Sequence, residues 1–283
     1  MTTVPFVKYH GLGNDFVLLD GRRDFPYEAG KLAPHICHRR FGIGADGVIV
    51  LGNSTVADYL MTYVNSDGSA AVCGNGLRCL ARFIYELGLL RDGQEKFSIE
   101  TLKGIAQIEI GSRAETSVVD MGAPVFEGRE IPLSESGEHL GFSLSVADEQ
   151  IEINAVGMGN PHCVIFVESL SDINVAYLGP LIEHHALFPE NTNVEFVQML
   201  SRSRARMRVW ERGVGETLAC GTGASAVVAA ALKRGDSDGN LSIESPGGVV
   251  SVEWRRDSGR IFLSGPATRV YSGEIDPALF LSR

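Results

Sequence analysis

Val72-Cys73-Gly74-Asn75-Gly76 is matched 147 residues later by Ala219-Cys220-Gly221-Thr222-Gly223. Further matches follow the same order along the chain at offsets of 144 to 147, pairing residues 13–16 with 159–162, 41–46 with 188–193, 61–65 with 207–211, and 98–100 with 242–244. Self-similarity at a nearly fixed offset indicates a duplicated architecture. The sequence therefore predicts two similar halves of about 146 residues.

Each repeat contains a helix directly after its cysteine. Residues 75–87 and 222–234 are apolar on nearly every face, which is typical of a buried helix, and a glycine follows each. Short alternating or β-branched runs predict strands, including 48–51, 106–110, 163–167, 249–254 and 260–263. We expect an α+β fold of two pseudo-symmetric halves, each a curved, mostly antiparallel sheet wrapped around a central buried helix.

Composition excludes several classes of partner. The chain has 283 residues, a formal charge of -10 and no basic block, which argues against nucleic acid and anionic membrane surfaces. The longest apolar stretch, residues 224–232, is about half of what a bilayer requires. Because the N-terminus lacks the pattern of a secretory signal, we expect a cytoplasmic protein that binds neither nucleic acid nor membrane.

Five widely spaced cysteines do not resemble a disulfide framework. Cys79 and Cys163 fall inside a predicted helix and a predicted strand, so we expect both in the core. Cys37 lies between two histidines, but no second cluster completes a tetrahedral set of ligands, and we expect no metal.

Cys73 and Cys220 each precede a glycine-rich turn that opens a helix. The helix dipole and the unpaired N–H groups of the first turn are expected to lower the thiol pKa and to bind a carboxylate. If a pseudo-two-fold axis brings both turns to one cleft, one thiol can remove a Cα proton while the other delivers a proton to the opposite face. Such a pair inverts a stereocentre without a cofactor.

Other interpretations of these cysteines remain open on the residues alone. A single Cys-Gly pair is more often a buried structural cysteine, and the duplication is what argues otherwise. A cysteine hydrolase would use Cys220 as nucleophile and His162 as base. A redox or metal-binding protein would use the paired thiols, and a related racemase would act on another amino or imino acid.

Six motifs over essentially the whole chain carry a family resemblance: Gly11-Leu12-Gly13-Asn14-Asp15-Phe16, Asn65-Ser66-Asp67-Gly68-Ser69 leading to Cys73-Gly74-Asn75-Gly76, Gly159-Asn160-Pro161-His162, Asn191-Thr192-Asn193-Val194, Glu211-Arg212-Gly213-Val214-Gly215-Glu216-Thr217, and Ala219-Cys220-Gly221-Thr222-Gly223-Ala224. Together they resemble the diaminopimelate epimerase family of cofactor-independent amino-acid racemases. The resemblance implies interconversion of LL- and meso-diaminopimelate, in lysine biosynthesis and the supply of peptidoglycan precursors.

The resemblance also implies roles for individual residues. Cys73 and Cys220 are the expected acid and base. Backbone N–H groups of four residues are expected to hold the α-carboxylate: Gly74, Asn75, Gly221 and Thr222. The remaining polar substrate contacts are expected from Asn14, Asn65, Asn160, Asn193, Glu211 and Arg212. His162 and Glu211 are expected to tune the thiol pKa values. No cofactor and no metal is implied.

The repeat and the resemblance together set the expected domains. We predict an N-terminal half of residues 1–122 plus 268–283, which carries Cys73, and a C-terminal half of residues 123–267, which carries Cys220. The segment 269–274 is expected to return and pair with the first half. The active site is expected in the cleft between the halves, and a homodimer is a hypothesis for the oligomeric state.

Overall fold

The computed structural model describes residues 3–23, 25–111 and 115–278. The chain divides into two compact units. The first comprises Met1–Val119 and Gly265–Arg283, and the second comprises Asp120–Ser264.

Eight strands build the sheet of the first unit, and two helices accompany them. The strands are β1 Val4–Gly11, β2 Asn14–Asp20, β3 Gly47–Gly52, β4 Tyr59–Asn65, β5 Lys96–Thr101, β6 Gly104–Ile110, β7 Thr116–Gly122 and β17 Thr268–Ile275, and the helices are α1 Ala29–Ile36 and α2 Gly74–Glu86. Neighbours pair in the order β17-β1-β2-β3-β4-β5-β6-β7. The β2–β3 and β4–β5 pairs are parallel, and the others are antiparallel.

The second unit repeats this order. Its strands are β8 Leu140–Val146, β9 Glu149–Gly157, β10 Pro161–Phe166, β11 Asn193–Ser201, β12 Arg204–Glu211, β13 Gly215–Thr217, β14 Asn240–Ser245, β15 Gly248–Arg255 and β16 Arg260–Pro266, and its helices are α3 Val175–Glu183, α4 Gly221–Arg234 and a short 3₁₀ helix, Leu170–Asp172. Neighbours pair in the order β8-β9-β10-β11-β12-β14-β15-β16, with β13 forming a hairpin with β12. The parallel pairs, β10–β11 and β12–β14, occupy the same places as in the first unit.

Each sheet curves around one central helix, as predicted. Helix α2 contacts β1, β2, β3 and β4, while α4 contacts β8, β9, β10, β11, β14 and β15. Side chains alternate between the two faces of a strand. In β3, Val48 and Val50 therefore pack with the core on the α1 side, whereas Ile49 faces the start of α2.

The two central helices begin and end where the sequence indicates. Helix α2 follows Cys73 and α4 follows Cys220, and the closing glycines Gly88 and Gly235 have φ values of +66° and +83°. This is the left-handed backbone that favours glycine after a helix. The prediction is wrong for Leu87, which is 39% exposed, because α2 ends at Glu86 and the residues around its C-terminus are exposed.

Two helices, α1 and α3, were not predicted from the sequence. They begin 146 residues apart, at Ala29 and Val175, and each packs its buried residues into the core on the outer face of its sheet. Pro34 and Pro180 lie inside them. Proline removes a hydrogen-bond donor and usually ends a helix, which is why these short segments lack a helical pattern.

The last described strand, β17, belongs to the first unit. β17 pairs antiparallel with β1, placing Ile275 opposite Val4 and Thr268 opposite His10. Residues 269–274 therefore return to the N-terminal sheet. Within the described ranges, no helix is long and apolar enough to cross a membrane.

Candidate active site

Cys73 caps the N-terminus of α2. Its backbone is extended (φ −138°, ψ 119°), and its carbonyl oxygen accepts the first helical bond, from the Leu77 N–H at 3.0 Å. Helix geometry leaves the N–H groups of the first turn of α2, including those of Gly74 and Asn75, without a partner inside the helix. These groups are therefore directed at the position where a carboxylate binds a helix start.

Cys220 caps α4 in the same way. Its backbone is also extended (φ −129°, ψ 118°), and its carbonyl accepts from the Ala224 N–H at 2.9 Å. The Sγ atom accepts from the Gly223 N–H at 3.4 Å and lies 3.4 Å from Thr222 Oγ1. The two cysteines of the repeat thus occupy the same helical position in the two units.

In the first unit, Asn14 and Asn75 lie beside Cys73. Cys73 Sγ donates to Asn14 Oδ1 at 3.4 Å, and Asn75 Nδ2 donates to the same oxygen at 3.3 Å. Asn14 Nδ2 donates to Asp46 Oδ2 at 2.8 Å. Two predicted substrate contacts and one predicted proton carrier are therefore brought together.

Asn65 lies at the end of β4, opposite Gly47 of β3. Its Oδ1 accepts from the Tyr63 hydroxyl at 2.8 Å, and its Nδ2 donates to Ser69 Oγ at 3.0 Å. Both ends of the amide are thus used within the loop that leads to Cys73.

A cluster of charged side chains holds Asp46, the hydrogen-bond acceptor of Asn14. Lys8, only 7% exposed at its side chain, lies 2.8 Å from Asp15 Oδ2, and its ammonium also donates to the Gly44 carbonyl. Arg39 donates to Asp15 Oδ1 at 3.0 Å and to Asp46 Oδ1 at 2.6 Å. Burial alone raises the pKa of Asp15, but the hydrogen bonds from Arg39 and Lys8 outweigh burial and lower the pKa to about 2.

We expect Asp15→Asn to destabilise the protein by about 2 kcal/mol at neutral pH, because Lys8 would lose its buried counter-ion. The pKa of folded Asp15 lies below the unfolded value of 3.8, so its stabilisation is present above about pH 4 and is lost as the pH falls through about 2. Urea unfolding at several pH values should therefore show a shallower acid dependence in the variant. Asp172→Asn, at an exposed carboxylate, is the control, and an equal acid dependence in Asp15→Asn and the native protein would contradict the assignment.

In the second unit, His162 forms a fully buried pair with Glu195. His162 Nδ1 lies 2.7 Å from Glu195 Oε1, and both side chains are 0% exposed. His162 Nε2 lies 3.0 Å from Asn160 Oδ1. Both ring nitrogens therefore lie against oxygen atoms of neighbouring side chains.

Asn193 links two loops of the second unit. Its Nδ2 donates to the Pro161 carbonyl at 2.8 Å, and its Oδ1 accepts from the Arg212 N–H at 3.0 Å. The exposed Arg212 guanidinium donates to the Glu190 carbonyl at 3.1 Å through Nη1. Both ends of the Asn193 amide therefore hold backbone groups, those of Pro161 and Arg212.

Glu211 and Cys220 lie close enough for their charges to interact. Burial raises the pKa of Glu211, whose Oε1 accepts from Thr217 Oγ1 at 2.5 Å. Burial, followed by the charges of Glu211 and Glu195, raises the pKa of Cys220 well above its ordinary value. The expected lowering is wrong for Cys220, because these effects outweigh the helix N-terminus.

Three residues that contact this set were not predicted from the sequence: Asp46, Arg78 and Glu195. Asp46 holds Asn14, Arg78 holds Asn75, and Glu195 holds His162. Arg78 and Glu195 each place a charge in an otherwise apolar buried element, which is an unusual pattern that marks a specific role. Asp46 is aligned with Asn193 in the repeat, which indicates a shared position near the site.

Beside the two central helices, two equivalent positions carry apolar side chains in the first unit and polar ones in the second. A Cβ on Gly76 would meet Ile49, and a Cβ on the equivalent Gly223 would meet Glu195. The strand pairs show the same equivalence. Phe16 lies opposite Gly47 in the first unit, and His162 lies opposite Asn193 in the second. The charged pair beside α4 thus replaces an apolar pair beside α2.

No group of three or more metal-ligating side chains occurs in the portion of the chain that the structure describes. None of the five cysteines, all of which are described, forms a disulfide.

Solved structures with the same fold define the class of the chain. A phenazine biosynthesis protein of the PhzF family from Bacillus anthracis matches with a TM-score of 0.70 at 19% identity, covering 98% of this chain and 100% of that one. A hydroxyproline epimerase from Agrobacterium vitis matches with a TM-score of 0.68 at 16% identity, covering 99% and 94%. The chain therefore has the duplicated α+β fold that is also found in an amino-acid epimerase.

Sequence relatives identify the family within this class. The family model described as diaminopimelate epimerase matches residues 6–127 and 154–270. The diaminopimelate epimerase of Moorella thermoacetica is 45% identical over 281 residues, covering 95% of this chain and 98% of the relative. That of Synechococcus sp. (strain JA-2-3B'a(2-13)) is 48% identical, covering 95% and 97%. The chain belongs to the diaminopimelate epimerase family, and it is an isomerase.

Proposed function

We propose that this protein interconverts LL- and meso-2,6-diaminopimelate by moving a Cα proton between two thiols, Cys73 and Cys220, without a cofactor. The observation that carries the proposal is the equivalence of the two cysteines, each capping the central helix of its own unit. Membership of the family supports the substrate and the place in lysine biosynthesis. The cytoplasmic location and the homodimer stay predictions.

The helix starts supply the groups that hold the reacting carboxylate in this proposal. Backbone N–H groups of Gly74 and Asn75 on α2, and of Gly221 and Thr222 on α4, point away from their helices. Donors of this kind stabilise the negative charge that develops on a carboxylate when its Cα proton leaves. The electron pair of the broken C–H bond thus spreads onto oxygen atoms held by N–H groups.

The proton count balances over one turnover. One cysteine, as thiolate, takes the Cα proton and becomes a thiol, while the other thiol gives its proton to the opposite face and becomes a thiolate. The enzyme therefore ends with the two protonation states exchanged. The raised pKa of Cys220 favours its S–H form, which is the form that delivers a proton.

Arg212 and Glu211 suit the far end of a substrate with two amino-acid groups. Arg212 uses Nη1 for the Glu190 carbonyl, and the rest of its guanidinium is available to bind a carboxylate. Glu211 is available for an ammonium group. We propose that Asn14, Asn65, Asn160 and Asn193 complete the recognition, either directly or by holding these groups.

The geometry of His162 argues against a cysteine hydrolase. Its two ring nitrogens are engaged by Glu195 and Asn160. A general base for a Cys220 nucleophile needs a ring nitrogen that accepts the thiol proton. Both nitrogens of the buried imidazole are used by other partners, so the ring is poorly placed for that transfer.

Stereochemical analysis of the product tests the proposal. The reduced protein, without added cofactor, is incubated with LL-diaminopimelate, and the LL and meso forms are separated by chiral chromatography. We expect the two forms to approach equilibrium, with no comparable racemisation of L-lysine, L-proline or trans-4-hydroxy-L-proline. Faster turnover of an imino acid than of diaminopimelate would overturn the substrate assignment.

A further inference from the structure

Four polar side chains of the first unit form one directed chain of hydrogen bonds beside Cys73. Arg78 Nη2 donates to Asn75 Oδ1 at 2.7 Å, and Asn75 Nδ2 donates to Asn14 Oδ1 at 3.3 Å. Asn14 Nδ2 then donates to Asp46 Oδ2 at 2.8 Å. Every donor points the same way, from a cation to a carboxylate.

The two ends fix the orientation of both amides. A guanidinium only donates and a carboxylate only accepts, so Asn75 turns its oxygen to Arg78 and Asn14 turns its nitrogen to Asp46. Arg78 is 0% exposed, so its hydrogen bond to Asn75 is shielded from water. The result is that Asn14 Oδ1, and not its NH₂ group, faces Cys73 Sγ at 3.4 Å.

We propose that Asp46 is a positioning residue for Cys73, acting through Asn14, whose amide oxygen it holds against the thiol. An oxygen acceptor stabilises the S–H form and repels the thiolate. The Cys73 thiolate is thereby made a stronger base toward a Cα proton. This inference rests on the proposed role of Cys73 as a proton carrier, and it names the residue that sets its basicity.

Asp46 is itself held in place. Its Oδ1 accepts from Arg39 Nη2 at 2.6 Å, and its Oδ2 accepts from the Asp15 N–H at 3.0 Å. The carboxylate therefore has fixed partners on both oxygens. Its side chain is 39% exposed, so a substitution there leaves the core intact.

Tyr63 from β4 and Arg78 and Cys79 from α2 also act electrostatically on Cys73. Burial raises the pKa of Tyr63, and it raises the pKa of Cys79 to about 12. Burial lowers the pKa of Arg78, and a guanidinium stays charged near neutral pH. None of these three groups therefore changes its charge near neutral pH.

Alkylation of Cys73 by iodoacetamide, followed over pH by peptide mass spectrometry, tests the proposal in the full-length protein. The thiolate is the reactive form, so the rate follows the thiol titration. In Asp46→Ala, Asn14 loses the acceptor of its NH₂ group, so its oxygen is no longer held against Cys73; we expect the midpoint to fall by about one pH unit, with about tenfold faster alkylation at neutral pH. Asp46→Asn keeps an oxygen that can accept from Asn14, so we expect a smaller shift.

Asp67→Ala is the matched control, since Asp67 is an exposed carboxylate in the loop before Cys73 that bonds to Ser69 and not to Asn14. We expect its effect on the rate to stay below twofold. An unchanged or raised midpoint in Asp46→Ala would overturn the proposal. Equal shifts in Asp46→Ala and Asp46→Asn would also overturn it, because both remove the same charge. Alkylation needs no turnover, so a failure of the diaminopimelate assay remains distinguishable from either result.

Discussion

Replacement of either Cys73 or Cys220 by alanine is expected to lower the rate of epimerisation by at least about 10³-fold, to the background of the assay. Each unit supplies one thiol at the start of its central helix, and inversion needs both a proton acceptor and a proton donor. The loss is therefore expected in kcat for both directions of the reaction. Product is measured by chiral chromatography with each variant in the reduced state.

Cys37→Ala is the control for these two variants. Cys37 is buried beside α1 and is not part of either helix start, so we expect its variant to keep native activity. Native activity in Cys73→Ala or in Cys220→Ala would exclude the two-thiol account. Thermal unfolding of all three variants establishes that they are folded.

Replacement of Glu195 by isoleucine is expected to destabilise the protein by about 3 to 5 kcal/mol, because it leaves His162 buried without its carboxylate partner. The first unit supplies a matched control, since Ile49 and Phe16 occupy the equivalent positions there. The double variant His162→Phe, Glu195→Ile copies that apolar pair into the second unit. We expect it to be more stable than Glu195→Ile alone.

Urea unfolding of the native protein and the two variants measures these free energies. Removing one member of a buried ion pair lowers the free energy of unfolding more than replacing both members by apolar groups of similar size. A single variant as stable as the native protein would show that the His162–Glu195 pair is not a buried charge pair. A double variant less stable than the single one would contradict the proposed equivalence of the two units.

Local patterns in the sequence predicted the duplication, the two central helices and several of the strands. The cysteine, the glycine-rich turn and the closing glycine fix where α2 and α4 begin and end, because capping depends on neighbouring residues. Alternation of apolar and polar residues predicted strands such as β15 and β16, because this pattern too is local to the segment. Helices α1 and α3 depend instead on packing against the sheet, and their internal prolines hide them.

The site was only partly predictable. Its asparagines and cysteines lie in motifs, but the groups that orient them come from distant parts of the chain, as with Asp46 and Asn14 or Glu195 and His162. The pKa of Cys220 depends on burial and on two carboxylates that tertiary packing brings close. Neither effect can be seen in the residues next to Cys220 in the sequence, which is why the expected lowering of its pKa was wrong.

Deuterium exchange is the most direct test of two-thiol proton transfer. LL-diaminopimelate is incubated in D₂O with the reduced protein and no added cofactor, and loss of the Cα proton and formation of the meso product are followed by NMR and mass spectrometry. Because a thiol proton exchanges with solvent, the account predicts meso product that carries deuterium at the inverted Cα. Meso product without solvent deuterium, or no exchange at all with folded, reduced protein, would contradict the account.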